Sequence, residues 1–169
     1  MTRFALATVA LLALGACSAP ATTTSPATGA PTVAVSTSAT PTPTAAAPRD
    51  ATTLANLIKQ TTTTKILTID ENNDPNNKIG RPGGYTSAAT LYDSTVTCTD
   101  IGADCGATIE VYPTAAEAQA RADYIQTILK ASPVLGTEYD TPVGTALLRV
   151  TGIMKPSVAA LYSAAMLKA

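Results

Sequence analysis

The chain has 169 residues and a formal net charge of −1, and it contains neither His nor Trp. Near-zero charge without a basic cluster argues against nucleic-acid binding. The absence of histidine removes the commonest general base and the commonest metal ligand, which argues against an enzyme and against a metal centre.

The first apolar segment of the chain runs from Phe4 to Leu14, after a short start that carries one cation, Arg3. It is about half as long as the ~20 residues that span a bilayer, and small residues follow it, so it predicts a secretory signal peptide. Its last residues, LGAC ending at Cys17, resemble the lipobox of bacterial lipoproteins.

The lipobox resemblance implies that residues 1–16 are removed and that the Cys17 thiol carries a diacylglycerol, with a further acyl chain such as palmitate on the new amine. One acyl chain anchors a protein marginally, whereas two anchor it stably. The chain is therefore expected at the extracytoplasmic face of the cell membrane, anchored by lipid. The alternative is an ordinary signal peptide with a chance cysteine near its cleavage site.

Residues 17–48 comprise the predicted lipidated cysteine and a linker. The linker is composed almost entirely of Ala, Thr, Pro and Ser and contains no charged residue. Such a segment buries too little apolar surface to offset the entropy of ordering, so a disordered tether is predicted. Its reach is roughly 95 Å at ~3.1 Å per residue if extended, or about 30 Å as a flexible coil. A passive spacer and an O-glycosylated stalk are both compatible with this composition.

Residues 49–169 have the size of a single domain, and their patterns predict the order α-β-β-β-α-β-β-α. Asp50 is placed to cap a first helix, Thr114 and Glu117 a second, and Pro156 opens a third with an apolar stripe that includes Leu161. The strand-like segments are residues 65–69, 85–96 and 107–112, followed by a hairpin of 137–139 and 145–150.

The short connections between these strands predict the layout of the domain. They favour an antiparallel sheet with the helices on one face, which is a two-layer α+β sandwich.

Two cysteines remain once Cys17 carries lipid. Cys98 and Cys105 bracket a turn-like segment between two strand-like segments. An oxidising compartment favours a disulfide, worth about 2 kcal/mol for so short a loop. A metal site would need more ligands, so the sequence predicts a structural disulfide and no metal ion.

Resemblance to a known family rests on four segments of the domain: 73–77 (NDPNN), 80–87 (GRPGGYTS), 109–113 (IEVYP) and 147–152 (LLRVTG). They are similar to segments of a family of small, mostly uncharacterised lipoproteins of actinobacteria and their temperate phages. The resemblance implies an envelope location and a small α+β domain, and it brings no catalytic residues. Its phage members imply a further role, exclusion of a superinfecting phage by blocking DNA entry.

A polar loop is the first candidate binding site. Its side-chain oxygens alternate like the first half of an EF-hand calcium loop, at Asp70, Asn72, Asp74 and Asn76. Pro75 stands where that motif needs glycine, and Arg81 stands where it needs a bidentate glutamate, so no EF-hand is predicted and only a weak, oxygen-rich calcium site is left. The alternative is a series of Asx turns, in which these side chains bond their own backbone.

A face of the sheet is the second candidate. Strand alternation places Ile109 toward the core and its neighbours on the opposite side. A binding face there would contain residue types favoured at interfaces, namely Tyr92, Glu110, Tyr112 and Arg149. The alternative is an ordinary solvated face, or one covered by the first helix.

The function predicted from the sequence is non-enzymatic. No serine lies in a Gly-x-Ser-x-Gly turn, and the predicted disulfide leaves no free thiol, so no catalytic residue is assigned. We expect a lipoprotein that binds a protein or an envelope component, with no cofactor beyond its covalent lipid. The alternatives are a prophage-encoded superinfection-exclusion lipoprotein and an extracytoplasmic hydrolase, which would need a deep cleft with converging carboxylates.

Overall fold

The computed structural model describes residues 49–98 and 100–169. The predicted signal peptide, Cys17 and the linker lie outside these residues. The helices are α1 Ala51–Ile58, α2 Ala115–Ala131 and α3 Pro156–Met166, with 3₁₀ turns at Ala103–Cys105 and Pro133–Leu135. The strands are β1 Thr63–Ile69, β2 Ser87–Asp93, β3 Gly106–Val111, β4 Glu138–Val143 and β5 Ala146–Thr151.

The five strands form one antiparallel sheet in the order β1-β2-β3-β5-β4. The α+β class, the antiparallel sheet and the predicted element order are therefore confirmed. Pro142 lies within β4, which is an edge strand, where the lack of a backbone N–H is tolerated. The β4–β5 turn is shorter than predicted and contains Gly144. Its φ is 56°, a positive value that glycine adopts without strain.

One face of the sheet packs against α1 and α3. Leu54 and Ile58 of α1 and Tyr162 and Met166 of α3 are buried in one cluster with the side chains of the central strands. The hydroxyl of Tyr162 donates to an Asp93 carboxylate oxygen at 2.7 Å, so the polar end of this aromatic residue is satisfied inside the core.

Helix α2 covers the opposite face, so the three helices are divided between the two faces instead of sharing one. Its stripe of Ala118, Ala122 and Ile125 packs against Tyr112 and Leu147. The capping residue predicted for this helix is confirmed, since the backbone N–H of the third helical residue donates to the Thr114 hydroxyl. The helix lies on this face because the sheet presents a second set of large apolar side chains there.

Two loops complete the cover of this second face. Ile101 of the loop between β2 and β3, and Ile79 and Tyr85 of the loop between β1 and β2, belong to the same apolar cluster as α2. All six residues of β3 are consequently buried. A central strand that is covered on both sides has no exposed face, whatever its alternation of residue types.

A disulfide joins Cys98 to Cys105, as predicted, with their Cα atoms 4.2 Å apart. It closes the connection between β2 and β3. Gly106, which follows it, has a φ of 139°, and a Cβ at this position would lie only 2.8 Å from the Leu91 carbonyl oxygen. Glycine is therefore required where the disulfide loop meets the sheet.

Candidate functional site

The predicted binding face lies mostly inside the protein. Glu110 has no exposed surface and Tyr112 is 2% exposed, because α2 lies over them. Arg149 is also largely covered, and of the four predicted residues Tyr92 on β2 alone is neither buried nor tied to this cluster. Ile109 and Glu110 do point to opposite sides of the sheet, but the side opposite Ile109 faces helix α2 and not solvent.

The covered residues form an ion-pair network around Arg149. The guanidinium donates from Nη1 to Glu110 Oε1 at 2.7 Å, and from Nε and Nη2 to the two Glu138 carboxylate oxygens at 2.8 Å each. Burial alone would lower the pKa of Arg149, but the carboxylates of Glu138 and Glu110 outweigh it and raise that pKa. The arginine therefore stays charged and neutralises two carboxylates beneath α2.

Two further side chains satisfy Glu110. The Tyr112 hydroxyl donates to Oε2 at 2.7 Å, and Arg121 Nε of α2 donates to the same oxygen at 3.4 Å. Burial, followed by the charge of Glu110, raises the pKa of Tyr112 and keeps this phenol protonated. Glu110 is therefore fully enclosed, and both of its carboxylate oxygens accept hydrogen bonds from neighbouring side chains.

Asp140 of β4 adjoins this network but is incompletely satisfied. Gln126 Nε2 donates to Oδ2 at 2.9 Å, whereas the buried Oδ1 has no hydrogen-bond partner among the described residues. Burial, together with the charge of Glu138, raises the pKa of Asp140 to about 6. This carboxyl consequently loses its proton at a higher pH than an ordinary aspartate does.

The polar loop is held by Asx turns. Asp70 Oδ1 accepts from the backbone N–H of Asn72, and Asp74 Oδ2 accepts from those of Lys78 and Ile79 at 2.5 and 2.8 Å. Burial would raise the pKa of Asp74, but these hydrogen bonds and one from the Tyr85 hydroxyl outweigh it and lower that pKa.

These contacts use the carboxylates of the loop to fix its own backbone. Asn76 adds a hydrogen bond from Nδ2 to the Tyr85 hydroxyl at 3.4 Å. Within residues 49–98 and 100–169, no group of three or more acidic or cysteine side chains is arranged to hold a metal ion. The structural alternative for this loop, the Asx-turn series, thus accounts for the positions of Asp70 and Asp74.

An open cleft of about 320 Å³ lies between the first half of α2 and the end of the polar loop. Its lining includes Lys78 from the loop and Glu117, Arg121 and Tyr124 from α2, with Tyr112 beside them. Tyr124 is 57% exposed, and the Arg121 guanidinium carbon lies 5.7 Å from its ring centroid. The cleft therefore presents an aromatic ring beside two cations.

The sequence did not identify Lys78, Arg121 or Tyr124 as site residues. The available signal was the i, i+3 spacing of Arg121 and Tyr124, which places them on one side of a helix. That spacing is also typical of an ordinary solvated helix surface. Only the position of α2 against the polar loop brings these residues together with Lys78.

No protein-family model, curated protein or solved structure matches this chain. Across the part of the chain that the structure describes, no helix combines the length and the apolar composition needed to cross a membrane.

Proposed function

We propose that this protein is a lipid-anchored, extracytoplasmic, non-enzymatic protein whose folded domain binds a protein or another envelope component through the cleft of Lys78, Arg121 and Tyr124. The anchor is supported by the LGAC sequence that ends at Cys17 and by the apolar segment before it. The observation that carries the binding role is the exposed Tyr124 ring held beside Arg121 at the mouth of the cleft.

The cleft is suited to a partner group with negative charge and a flat or apolar surface. Arg121 is fixed by its ion pair with Glu110 at 3.4 Å, so its guanidinium is positioned before a partner arrives. Lys78 adds a second cation, while Glu117 is engaged by the Thr114 hydroxyl at 2.8 Å. Tyrosine and arginine are enriched among the residues that dominate binding energy at interfaces.

The binding role is tested by cross-linking in intact cells with the double variant Lys78→Ala and Tyr124→Ala. Both side chains border the cleft without belonging to either apolar cluster, so partner capture should fall while the melting temperature barely changes. The matched control is Lys65→Ala with Tyr92→Ala, since the Lys65 ammonium lies 5.1 Å from the Tyr92 ring centroid elsewhere on the surface.

Unchanged capture by the cleft variant would overturn the assignment of the cleft. Loss of partner capture in the control variant alone would assign the binding surface to the region of Tyr92, one of the residues predicted from the sequence.

The anchor is tested separately with Cys17→Ser. The variant lacks the thiol that would carry the diacylglycerol, so we expect it to stay uncleaved or to leave the membrane fraction. Lipid labelling at the wild-type level in Cys17→Ser would contradict the anchor and leave the binding role of the cleft standing.

A further inference from the structure

Three large aliphatic side chains project from one end of the sheet. Val134 is 93% exposed, Leu135 is 60% exposed and Ile153 is 75% exposed. Val134 and Leu135 belong to the 3₁₀ turn before β4, and Ile153 follows β5. We refer to Val134, Leu135 and Ile153 as the apolar tip.

The hairpin of β4 and β5 places these residues at the same end of the molecule. Glu138 pairs with Thr151, and the backbone N–H of Gly152 donates to the Thr137 carbonyl oxygen at 2.7 Å. The 3₁₀ turn before β4 and the turn after β5 therefore adjoin each other. A Cβ on Gly152 would collide with Thr137, so glycine permits this close approach.

Two lysines flank the apolar tip. Lys130 is in the last turn of α2 and Lys155 is the N-cap of α3, and both are exposed. The two segments that carry the tip, residues 129–137 and 152–158, contain these two cations and no carboxylate. Exposed aliphatic side chains flanked by two lysines suit the boundary between acyl chains and anionic headgroups.

We propose that the apolar tip inserts into the surface of an anionic lipid bilayer, so that the domain lies on the membrane to which it is tethered. The inference rests on the lipid anchor of the proposed function. Three side chains and two lysines bind a membrane only weakly by themselves. A tether keeps the domain close to the bilayer, and the raised local concentration makes a weak contact effective.

The length and the attachment point of the linker are compatible with this orientation. The backbone N–H of Ala51 donates to Ser87 Oγ at the start of β2, which is the sheet end opposite the tip. A six-residue strand such as β5 spans about 20 Å, and the preceding linker reaches about 30 Å even as a coil. The length expected for this segment thus exceeds the length of the strand, so contact of the tip with the bilayer is compatible with an anchor at Cys17.

The experiment uses two properties of this chain, the absence of tryptophan and the single cysteine outside the disulfide. The chain from residue 17 to residue 169 is coupled through Cys17 to a maleimide-headgroup lipid in vesicles of phosphatidylglycerol and phosphatidylcholine. Val134→Trp places the only tryptophan of the chain on the tip, and its emission is excited selectively over that of the tyrosines. Leu161→Trp is the matched control, because Leu161 is 55% exposed in the middle of α3.

On coupling, the Val134→Trp emission should shift to shorter wavelength and be largely quenched by brominated acyl chains, whereas that of Leu161→Trp should remain unchanged. Adding Leu135→Ser and Ile153→Ser to Val134→Trp should abolish most of the quenching, and vesicles of phosphatidylcholine alone should reduce it. Solvent-like emission of Val134→Trp on anionic vesicles would overturn the inference, as would equal quenching of both reporters. Chemical coupling makes this result independent of lipidation in cells and of the cleft.

Discussion

At the scale of single residues, Arg149 compensates the carboxylates that are covered by α2 on the second face of the sheet. It donates three hydrogen bonds to Glu110 and Glu138. Among the described residues, Arg121 at 3.4 Å is the other cation paired with Glu110. Buried ion pairs of this kind contribute little relative to apolar residues, but the loss of one partner is costly. The network therefore constrains substitution more than it adds stability.

We expect Arg149→Met to lower the free energy of unfolding by about 3–5 kcal/mol, because it leaves the buried Glu110 and the half-buried Glu138 without their shared cation. Denaturant titration followed by circular dichroism measures the change. The matched control is Lys65→Met, an exposed cation, for which we expect a change of about 0–1 kcal/mol. Equal effects for the two variants would show that the Arg149 network is open to solvent.

The contribution of Asp140 to folding stability should depend on pH with a sign opposite to that of most carboxylates. Its pKa is raised from 3.8 to about 6 in the folded protein by burial, so the folded state holds the proton more tightly than the unfolded state. Its contribution to stability is fully present below pH 3.8 and is lost as the pH rises through about 6.

Asp140→Asn cannot ionise, so its stability relative to wild type should increase as the pH rises across that window. Thermal melts at a series of pH values measure this difference, and Asp104→Asn, an exposed carboxyl, serves as the control. A difference between Asp140→Asn and wild type that does not vary with pH would contradict the raised pKa.

At the scale of elements, the predicted helix caps are confirmed, whereas the predicted buried side of α3 is only partly right. Asp50 caps α1 as predicted, since its Oδ1 accepts from the Thr53 N–H at 3.0 Å. The stripe predicted for α3 included Leu161, yet the buried residues of this helix are Ala159, Tyr162 and Met166. A cap is a local hydrogen bond, whereas the buried side of a helix depends on where the rest of the protein lies.

The polar loop should depend on Asp74 more than on its other alternating residues. Asp74→Ala removes the acceptor of the Lys78 and Ile79 N–H groups and of the Tyr85 hydroxyl, with an expected cost of about 1–3 kcal/mol.

Asn72→Ala is the control for that change, because its exposed side chain makes no hydrogen bond among the described residues, and we expect a change below about 0.5 kcal/mol. Thermal unfolding with and without calcium measures both effects. A rise in melting temperature with calcium that Asp74→Ala abolishes would show that the loop is a cation site after all.

At the scale of the whole molecule, the folded domain carries its own core. Both apolar clusters are formed by side chains from residues 51–169, and the cap of α1 is Asp50. We therefore expect chains that start at residue 18 and at residue 49 to unfold with free energies within about 0.5 kcal/mol of each other. Differential scanning calorimetry measures this, and a clear loss on removing residues 18–48 would show that the linker packs on the domain.

The sequence by itself determined the class of the domain, its element order, the Thr114 cap and the disulfide. Each of these follows from local chemistry or from a count of cysteines, and the structure confirms them. The lipid anchor at Cys17 and the binding role stay predictions.

Only the tertiary structure decided that both sides of the central strand β3 would be covered. Alternation along β3 separates Ile109 from Glu110, but α1 and α3 cover the Ile109 side, and α2 with the two long loops covers the Glu110 side. A charged residue usually marks a solvated face because burial of an unpaired charge is costly. Here Arg149 lies 39 positions further along the chain and compensates Glu110 at 2.7 Å, a pairing that depends on the sheet register and not on local sequence.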